Sequence, residues 1–293
     1  MAKLATLFAL GGLTLAPLAT ATSSTGHHGP SHHNVIPSGS FDEESRFKHY
    51  WAPNYPWGNT QVGSARMDPG QVSLGDEGTL VLTATPKEGL GEIQYGTETV
   101  ELHYLSGAVH AREMFNVTRH SGYDFSGMFR VNASTKGVWP GVALSGVHVW
   151  PPEIDLAEWR GDSRLSFNSW NSSKQANGDD VDYTDETDFH HIKAMIRDIN
   201  GQDVSIKFFL DGEHVSTQYA RDYVGKPMWL TIDLQMEGAS GSPGPTRNVT
   251  MEVQQFKVIS RSHLAYPGEL EDDVTDGAYP RGGDDELLRS SRR

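Results

Sequence analysis

The chain has 293 residues, of which 37% are hydrophobic and none is cysteine. This length accommodates one large or two small domains with a sizeable core, and the lack of cysteine excludes disulfides and thiolate-bound metals. The formal net charge of −14 repels phosphate backbones and anionic lipid, so we expect neither a nucleic-acid nor a membrane partner.

Residues 1–21 have the composition of a secretory signal peptide. Lys3 precedes an apolar stretch, and the small-residue pattern Ala19-Thr20-Ala21 follows it. A membrane anchor is the alternative, but two glycines and a proline interrupt a run that is already short for spanning a bilayer. We therefore expect secretion, and four sequon asparagines become candidates for N-glycosylation: Asn116, Asn132, Asn171 and Asn248.

Both ends of the mature chain lack an apolar period on which to fold. Residues 22–38 are rich in Ser, Gly, Pro and His and are predicted to form a flexible leader. A loose metal site is the alternative for its histidines, which are His27, His28, His32 and His33. Residues 263–293 carry mixed charge with few apolar side chains and are predicted to be a disordered tail. A single domain is thus expected over residues 39–262.

Between these ends the sequence predicts strand after strand. Apolar and polar residues partly alternate in GTLVLTAT, SGAVHAREMFNV, YDFSGMFRVNAS, PMWLTIDLQM and NVTMEVQQFKVIS. Asn200-Gly201 and Asp211-Gly212 favour tight hairpins, so three antiparallel strands are predicted around them. Many short strands in one domain of this size predict an all-β fold, either a two-sheet sandwich or a jelly roll.

The run WPPEIDLAEWRGD places three carboxylates in an apolar strand. Because alternate strand residues share a face, Glu153 and Asp155 point the same way, whereas Glu158 has the opposite parity. One extra residue, most simply Leu156 or Ala157, would form a bulge that returns Glu158 to their side. The spacing therefore predicts a local bulge and a surface lined by three acids.

Paired carboxylates on such a surface are typical of glycoside hydrolysis. At a separation of about 5 to 5.5 Å, one carboxylate attacks the anomeric carbon and the other protonates the leaving oxygen. An ordinary exposed acidic strand is the alternative. Bulky neighbours such as Trp150 and Trp159 favour the catalytic interpretation, because sugar rings stack on aromatic faces.

The run GVWPGVALSGVHVWPPEIDLAEWRG resembles the signature of glycoside hydrolase family 16, which belongs to the concanavalin A-like lectin/glucanase superfamily. In that family a Gly-x-Trp-Pro strand precedes a Glu-x-Asp-x-x-Glu or Glu-x-Asp-x-Glu strand. FHHIKAMIRDINGQDVSIKFFLDGEHV and SGYDFSGMFRVNAS are similar to further family strands. With the flanking strands, the resemblance covers most of residues 40–260 and is to secreted, fungal-type members.

The resemblance implies a β-jelly-roll of two curved antiparallel sheets with a glycan cleft on the concave face. It assigns Glu153 as the nucleophile, Asp155 as its assisting acid, and Glu158 as the general acid and base. It also implies that Trp139 lines the cleft, with core packing as the alternative. Trp150 is a further candidate for sugar contact, although the two prolines after it leave its direction open.

The stretch RLSFNSWNSS is predicted to be the strand beside the acids. It resembles the Phe-Asn-x-(Tyr/Trp) pattern of lichenan-cleaving members, which implies sugar contacts from Asn168 and Trp170 and a core position for Phe167. Lichenan-cleaving members usually lack the bulge residue, so the chain combines marks of two subgroups.

Many relatives bind a structural calcium through an aspartate in the last strand, where this chain has Gln254. Loss of that carboxylate weakens a site for a hard cation. His190 and His191 stand at a strand start without visible oxygen ligands, so a structural role is expected for them. We predict no cofactor and no metal, with a structural calcium as the alternative.

These observations predict a secreted, monomeric, retaining endo-glycosidase that cleaves β-linked glucan with β-1,3 or mixed β-1,3/1,4 linkages. A transglycosylase is the nearest alternative, since a sugar hydroxyl can intercept the same covalent intermediate. A non-catalytic, lectin-like glucan-binding protein is the alternative from another class, because the fold alone does not set function. A polysaccharide lyase is less favoured, since no cluster that neutralises a uronate is visible in the sequence.

Overall fold

A computed structural model describes residues 30–183 and 188–267. In this part of the chain, one α-helix, α1, spans Glu44–Tyr50, and short 3₁₀ turns lie at Pro69–Gln71, Asp76–Gly78 and Gly238–Ser240. The strands in the described residues are, in chain order, β1 (Ser31–Ile36), β2 (Trp51–Pro53), β3 (Ala65–Met67), β4 (Val72–Gly75), β5 (Thr79–Pro86), β6 (Glu92–Tyr95), β7 (Glu98–Glu101), β8 (Tyr104–Ser106), β9 (Ala108–Phe115), β10 (Gly122–Val131), β11 (Val138–Gly146), β12 (Glu153–Trp159), β13 (Arg164–Ser172), β14 (Gln175–Asp182), β15 (His190–Asp198), β16 (Val204–Leu210), β17 (Glu213–Ala220), β18 (Met228–Met236) and β19 (Val249–Ser262).

The strands form two large sheets. The cleft sheet has seven strands in the order β14-β13-β12-β11-β18-β9-β2. The back sheet has ten strands, with the main order β17-β16-β15-β10-β19-β5-β8-β3, while β1 and β4 pair beside β19 and β5. A separate hairpin of β6 and β7 makes a two-stranded sheet. All these pairings are antiparallel except that of β3 with β8, and the all-β jelly-roll prediction is confirmed.

The hydrophobic core lies between the two sheets. Trp159 of β12 and Phe129 of β10 meet with ring centroids 6.2 Å apart, and Phe167 of β13 meets Phe208 of β16 at 4.9 Å. All four side chains are buried, so the predicted core position of Phe167 is confirmed. Because core residues alternate along each strand, the intervening side chains of β11, β12 and β18 point to the opposite face, where the cleft lies.

The predicted triple-strand segment is present as β15, β16 and β17. Gly201 and Gly212 have φ angles of 80° and 88° in the two turns, a conformation that glycine adopts without a steric penalty. These turns therefore set the hairpin register from local sequence.

The prediction of a flexible leader over residues 22–38 needs correction. Ser31–Ile36 form strand β1, which pairs antiparallel with β19 from Ser31 opposite Ser262 to Ile36 opposite Val258. Backbone pairing and the burial of Ile36, which is only 1% exposed, order this segment. His32 and His33 lie on β1 and are exposed, whereas His27 and His28 lie outside the described residues. The sandwich therefore begins before residue 39.

The predicted tail is also partly ordered. The Leu264 N–H donates to the carbonyl of His120, and the Tyr266 ring stacks on the His120 ring at 4.1 Å. These contacts extend the sandwich to residue 267. The remaining tail, residues 268–293, and the predicted signal peptide, residues 1–21, lie outside the described residues.

The four sequon asparagines differ in accessibility. Asn132 and Asn248 are exposed, whereas Asn116 and Asn171 are half-buried. The Oδ1 atom of Asn171 accepts a hydrogen bond from the N–H of Arg221, and that of Asn132 accepts one from Thr250. Asn248 and Asn132 are thus the more accessible sites.

Candidate active site

Strand β12 carries the predicted bulge. Two adjacent residues of β11 pair with Asp155 and Ala157, which leaves Leu156 as an extra residue on β12. Leu156 is buried towards the core, whereas Glu153, Asp155 and Glu158 all line one cleft. The bulge therefore restores the parity of Glu158, and the three acids share one face.

The neighbouring strand, β11, presents only small side chains to this row of acids. Each acid has one of them directly opposite: Glu158 faces Gly141, Asp155 faces Ala143, and Glu153 faces Ser145. This row of small residues, which we call the floor, leaves room above β11 beside the carboxylates. A pyranose ring placed over the floor would lie within reach of all three acids.

The cleft has a volume of about 680 Å³. Six aromatic side chains line it together with the acids: Tyr55, Trp57, Tyr95, Trp139, Trp150 and Trp170. The rings of Tyr55 and Trp57 are stacked at 5.2 Å with an interplanar angle of 3°. Flat aromatic surfaces of this kind bind the apolar faces of sugars.

Glu158 is surrounded by nitrogen donors. Trp139 Nε1 donates to Oε1 at 2.7 Å, and Asn168 Nδ2 donates to Oε2 at 3.1 Å. Arg160 also donates to Oε2, through Nε at 3.0 Å and Nη2 at 2.5 Å. These contacts fix the orientation of the Glu158 carboxylate. Trp139 lies in the cleft, as predicted, and contacts this acid.

The predicted role of Asn168 needs correction. Its side chain is only 7% exposed, and Nδ2 donates to Asp155 as well as to Glu158, at 3.1 Å in each case. The amide is therefore occupied in holding two acids rather than open to a sugar. Trp170, in contrast, lines the cleft with its ring centroid 5.4 Å from that of Trp150, and the sugar contact of both stays a prediction.

Burial and mutual repulsion perturb the acids at the other end of the row. Burial raises the pKa of Glu153, and the charge of Glu158 raises it further, while hydrogen bonds from Trp150 and Ser145 lower it. Burial also raises the pKa of Asp155 well above its usual range, assisted by the charges of both glutamates. Burial and the two glutamate charges therefore both disfavour the ionised form of Asp155.

Tyr223 anchors the start of β12. Its hydroxyl accepts from the Glu153 N–H at 3.0 Å and lies 2.7 Å from the carbonyl oxygen of Trp170. This buried side chain thereby ties β12 to β13 at the nucleophile position. Sequence analysis missed Tyr223 because it comes from a distant loop.

A fourth acid, Asp233 of β18, lies across the floor from Glu158 and was also missed. Gly141 pairs with Glu158 on one side and with Asp233 on the other. Burial raises the pKa of Asp233 to about 7, and the charge of Glu158 contributes in the same direction. Asp233 thus holds a proton through the acidic and near-neutral range.

Other cleft residues escaped the sequence analysis for different reasons. Arg160 lies two residues after Glu158, and strand alternation could have indicated that they share a face. Tyr55 and Trp57 lie in the turn-rich stretch NYPWGN, where alternating aromatic residues were the available signal. Tyr95 lies on the separate β6–β7 hairpin, and nothing in its local sequence indicates the cleft.

The calcium position offers no carboxylate. Gln254 Nε2 donates to Thr79 Oγ1 at 2.8 Å, and within residues 30–183 and 188–267 no group of three or more His, Asp or Glu side chains is arranged to hold a metal. A calcium ion therefore does not fit at Gln254. His190 Nδ1 lies 2.7 Å from Asp211 Oδ2, a structural contact at the β16–β17 turn.

No helix in the described residues has the length and apolar composition needed to cross a bilayer.

Comparison with known proteins places the chain beside sugar-cleaving enzymes. No family model matches it. It is 38% identical over 226 residues to a galactan endo-β-1,3-galactanase of Flammulina velutipes, an alignment that covers 76% of this chain and 89% of the relative.

Two solved structures share the fold at lower identity. An endo-1,3-β-glucanase from Streptomyces sioyaensis superimposes with a TM-score of 0.62 at 17% identity and covers 86% of this chain and 100% of its own. A β-1,3-1,4-glucanase (lichenase) from a mouse hindgut metagenome has a TM-score of 0.54, also at 17% identity, and covers 80% of this chain and 100% of its own. These two likenesses support the jelly-roll fold.

Proposed function

We propose a reaction for this chain from the premise that it belongs to glycoside hydrolase family 16, and is therefore an endo-acting glycoside hydrolase. Its homologues act on β-1,3-linked glucan or galactan. The single observation that carries the proposal is the bulge at Leu156, which brings Glu153 and Glu158 to the same cleft.

The proposed reaction is a double displacement with net retention at the anomeric carbon. A Glu153 oxygen attacks the anomeric carbon while Glu158 donates its proton to the departing glycosidic oxygen, so one C–O bond forms as another breaks. Glu158, now a carboxylate, then takes a proton from water, whose oxygen displaces Glu153 from the glycosyl-enzyme intermediate. Both residues return to their starting protonation states.

Asp155 supports this sequence without touching the sugar. Its raised pKa keeps it protonated, so the row does not carry three adjacent negative charges. A protonated Asp155 next to Glu153 also supplies a hydrogen-bond donor to the nucleophile. Asn168 and Tyr223 then fix the acids and the backbone at this point.

The proposed substrate is β-1,3-linked galactan. The support is the 38% identity to a galactan endo-β-1,3-galactanase, which is much higher than the 17% identity to the glucanases of the same fold. The second candidate is β-1,3-glucan or mixed-linkage glucan, favoured by the similarity of the β13 sequence to that of lichenan-cleaving enzymes. This order revises the glucan-first expectation from sequence.

We also propose that the chain is secreted and acts as a monomer. The composition of residues 1–21 supports secretion, and the exposed sequon residues Asn132 and Asn248 are where glycans would attach.

The test is release of reducing ends from β-1,3-galactan, laminarin, lichenan and xyloglucan, run beside Glu153→Gln. We expect cleavage of galactan that vanishes in the variant, with a product whose anomeric configuration, followed by NMR, is initially retained. Full activity of Glu153→Gln would contradict the nucleophile assignment. Transfer to a labelled acceptor in preference to water would indicate a transglycosylase, and binding without cleavage by the parent would indicate a lectin.

A further inference from the structure

A polar pocket lies on the side of the floor opposite the catalytic acids. Asp233 and Gln235 project from β18, and Tyr55 approaches from the loop after β2. All three line the cleft, yet they are only 8%, 4% and 3% exposed. We call these three residues the β18 pocket.

The hydrogen-bonding capacity of the β18 pocket is only partly used within the protein. Tyr55 Oη and Gln235 Nε2 are buried and make no hydrogen bond of normal geometry within the described residues, although Tyr55 lies near enough to interact weakly with Gln235 and Asp233. Buried polar atoms are nearly always paired, since leaving one unpaired is unfavourable. Their position beside a sugar-cleaving cleft indicates partners supplied by a ligand.

The orientation of the Gln235 amide is fixed by the backbone. Its Oε1 accepts from the N–H of Ala65 at 3.0 Å and from that of Met236 at 2.9 Å. This arrangement leaves Nε2 as the donor of the amide, on the side of Tyr55. The side chain also runs close to Gly63, where an added Cβ would lie 2.7 Å from Gln235 Cγ, so the amide has little freedom to turn.

Asp233 adds a group that both donates and accepts. The raised pKa described above keeps it protonated below about pH 7, and its charge is close enough to Tyr55 to raise the pKa of that hydroxyl beyond the effect of burial. A carboxylic acid, a phenol and an amide N–H match the mixed donor and acceptor character of a sugar hydroxyl.

The register places the pocket beside the hydroxyls next to the scissile oxygen, which are O2 and O4 of the leaving sugar, and only O4 differs between galactose and glucose. In a β-1,3-linked chain the scissile oxygen is O3 of the leaving sugar, and Glu158 protonates it. O4 is on the next carbon of the same ring. Asp233 faces Glu158 across Gly141, two strand spacings of about 4.8 Å away, so a ring over the floor directs groups adjacent to O3 towards Asp233.

We propose that the β18 pocket binds the O4 hydroxyl of the sugar at the scissile bond and selects galactose over glucose. The two sugars differ only at C4, where the hydroxyl is axial in galactose and leaves the plane of the ring. An axial O4 reaches a pocket set into the cleft wall, whereas an equatorial O4 stays in the ring plane and leaves the buried donors unpaired. Such a loss discriminates strongly between substrates. This inference rests on the proposed galactanase function and names the residues that set its specificity.

The experiment compares kcat/KM on β-1,3-galactan with kcat/KM on laminarin for the parent and for Asp233→Ala, Tyr55→Phe and Gln235→Met. We expect the galactan-to-laminarin ratio to fall by at least about 10-fold in each variant. Gln254→Met on the back sheet removes a partnered amide far from the cleft and is expected to leave the ratio unchanged. Equal losses on both substrates, or an unchanged ratio, would overturn the proposal.

A binding measurement separates this inference from the proposed function. β-1,3-Galactotriose and laminaritriose are titrated by calorimetry into Glu153→Gln and into Glu153→Gln with Tyr55→Phe, which removes only a hydroxyl and serves if Asp233→Ala fails to fold. A galactotriose preference that disappears in the double variant supports the pocket even if the parent cleaves neither polymer. No preference in Glu153→Gln would overturn the pocket even if the parent cleaves galactan.

Discussion

Gly141 lies in register with Glu158 on one side and Asp233 on the other, so these two carboxyl groups face each other across a residue without a side chain. The open strip is part of the floor, over which we propose that the substrate ring lies. Its width depends on the absence of a single Cβ atom, which makes it directly testable.

Gly141→Ala is expected to lower kcat/KM by roughly 10- to 200-fold, because one methyl group would occupy space required by the substrate. The new Cβ would lie 3.7 Å from Asp233 Oδ1, an ordinary contact, so the thermal unfolding midpoint should change little. Gly75→Ala is the matched control, since its Cβ meets Val81 at 3.4 Å on the back sheet. Full activity in Gly141→Ala would show that the ring does not lie over the floor.

Glu158→Gln is expected to reduce cleavage of the polysaccharide by about 10² to 10⁴-fold, since the leaving oxygen would depart without a proton. An aryl glycoside with a good leaving group needs little protonation, so its first step should lose much less. Burst kinetics on the two substrates measure this difference. Glu252→Gln, which weakens the half-buried pair with Arg130 on the back sheet, is the control. Equal losses on both substrates would contradict an acid role for Glu158.

Trp150→Phe is expected to move the acid limb of the kcat/KM profile upward by about one pH unit. The Trp150 N–H lowers the pKa of Glu153, so its removal raises that pKa and leaves less nucleophile ionised at low pH. One hydrogen bond to a charged group corresponds to about one pKa unit. Trp57→Phe alters another exposed cleft aromatic without touching an acid; a similar shift there would point to stacking rather than to this hydrogen bond.

Asp233→Asn is expected to flatten the pH dependence of stability between about pH 4 and 7. The pKa of Asp233 in the folded protein is about 7, above its ordinary value of 3.8. The native state therefore binds this proton more tightly than the unfolded state does. The parent is therefore stabilised below the unfolded pKa and loses that contribution as pH rises through the folded pKa, with a slope of at most about 1.4 kcal/mol per unit.

Urea unfolding of the parent and the variant across this pH range measures the difference in their free energies of unfolding. The contributions of Asp155 and Glu153 are common to both proteins and cancel in this difference. Glu213→Gln at an exposed hairpin serves as the control. A parent whose free energy of unfolding rises from pH 4 to 7 more steeply than that of the variant would contradict the assigned direction.

The features that sequence analysis predicted depend on local pattern. Alternation placed Glu153 and Asp155 on one face, and the parity mismatch of Glu158 predicted the bulge that β11 and β12 show. Gly201 and Gly212 marked the hairpins for the same reason, since a tight turn imposes its requirement on adjacent residues.

The features that it missed depend on contacts between distant segments. Asp233 and Tyr55 enter the site only through the order and register of strands, which no short window contains. The prediction of a flexible leader was wrong for a similar reason. Ser31–Ile36 is polar and weakly patterned, and it becomes a strand because β19 offers it an edge and the core accepts Ile36. Asn168 was assigned to the correct strand but to the wrong partner, because the adjacent sequence does not indicate that its side chain is buried.

The unpaired Leu156 makes this catalytic row insensitive to the gain or loss of one codon. With Leu156 present, the β11–β12 ladder accommodates one extra residue, and Glu158 lies on the same face as Glu153 and Asp155. Without it, plain alternation would carry the same three side chains outward, in the shorter spacing that other family members use. Strands with and without the extra residue can thus present the three carboxylates on the same face.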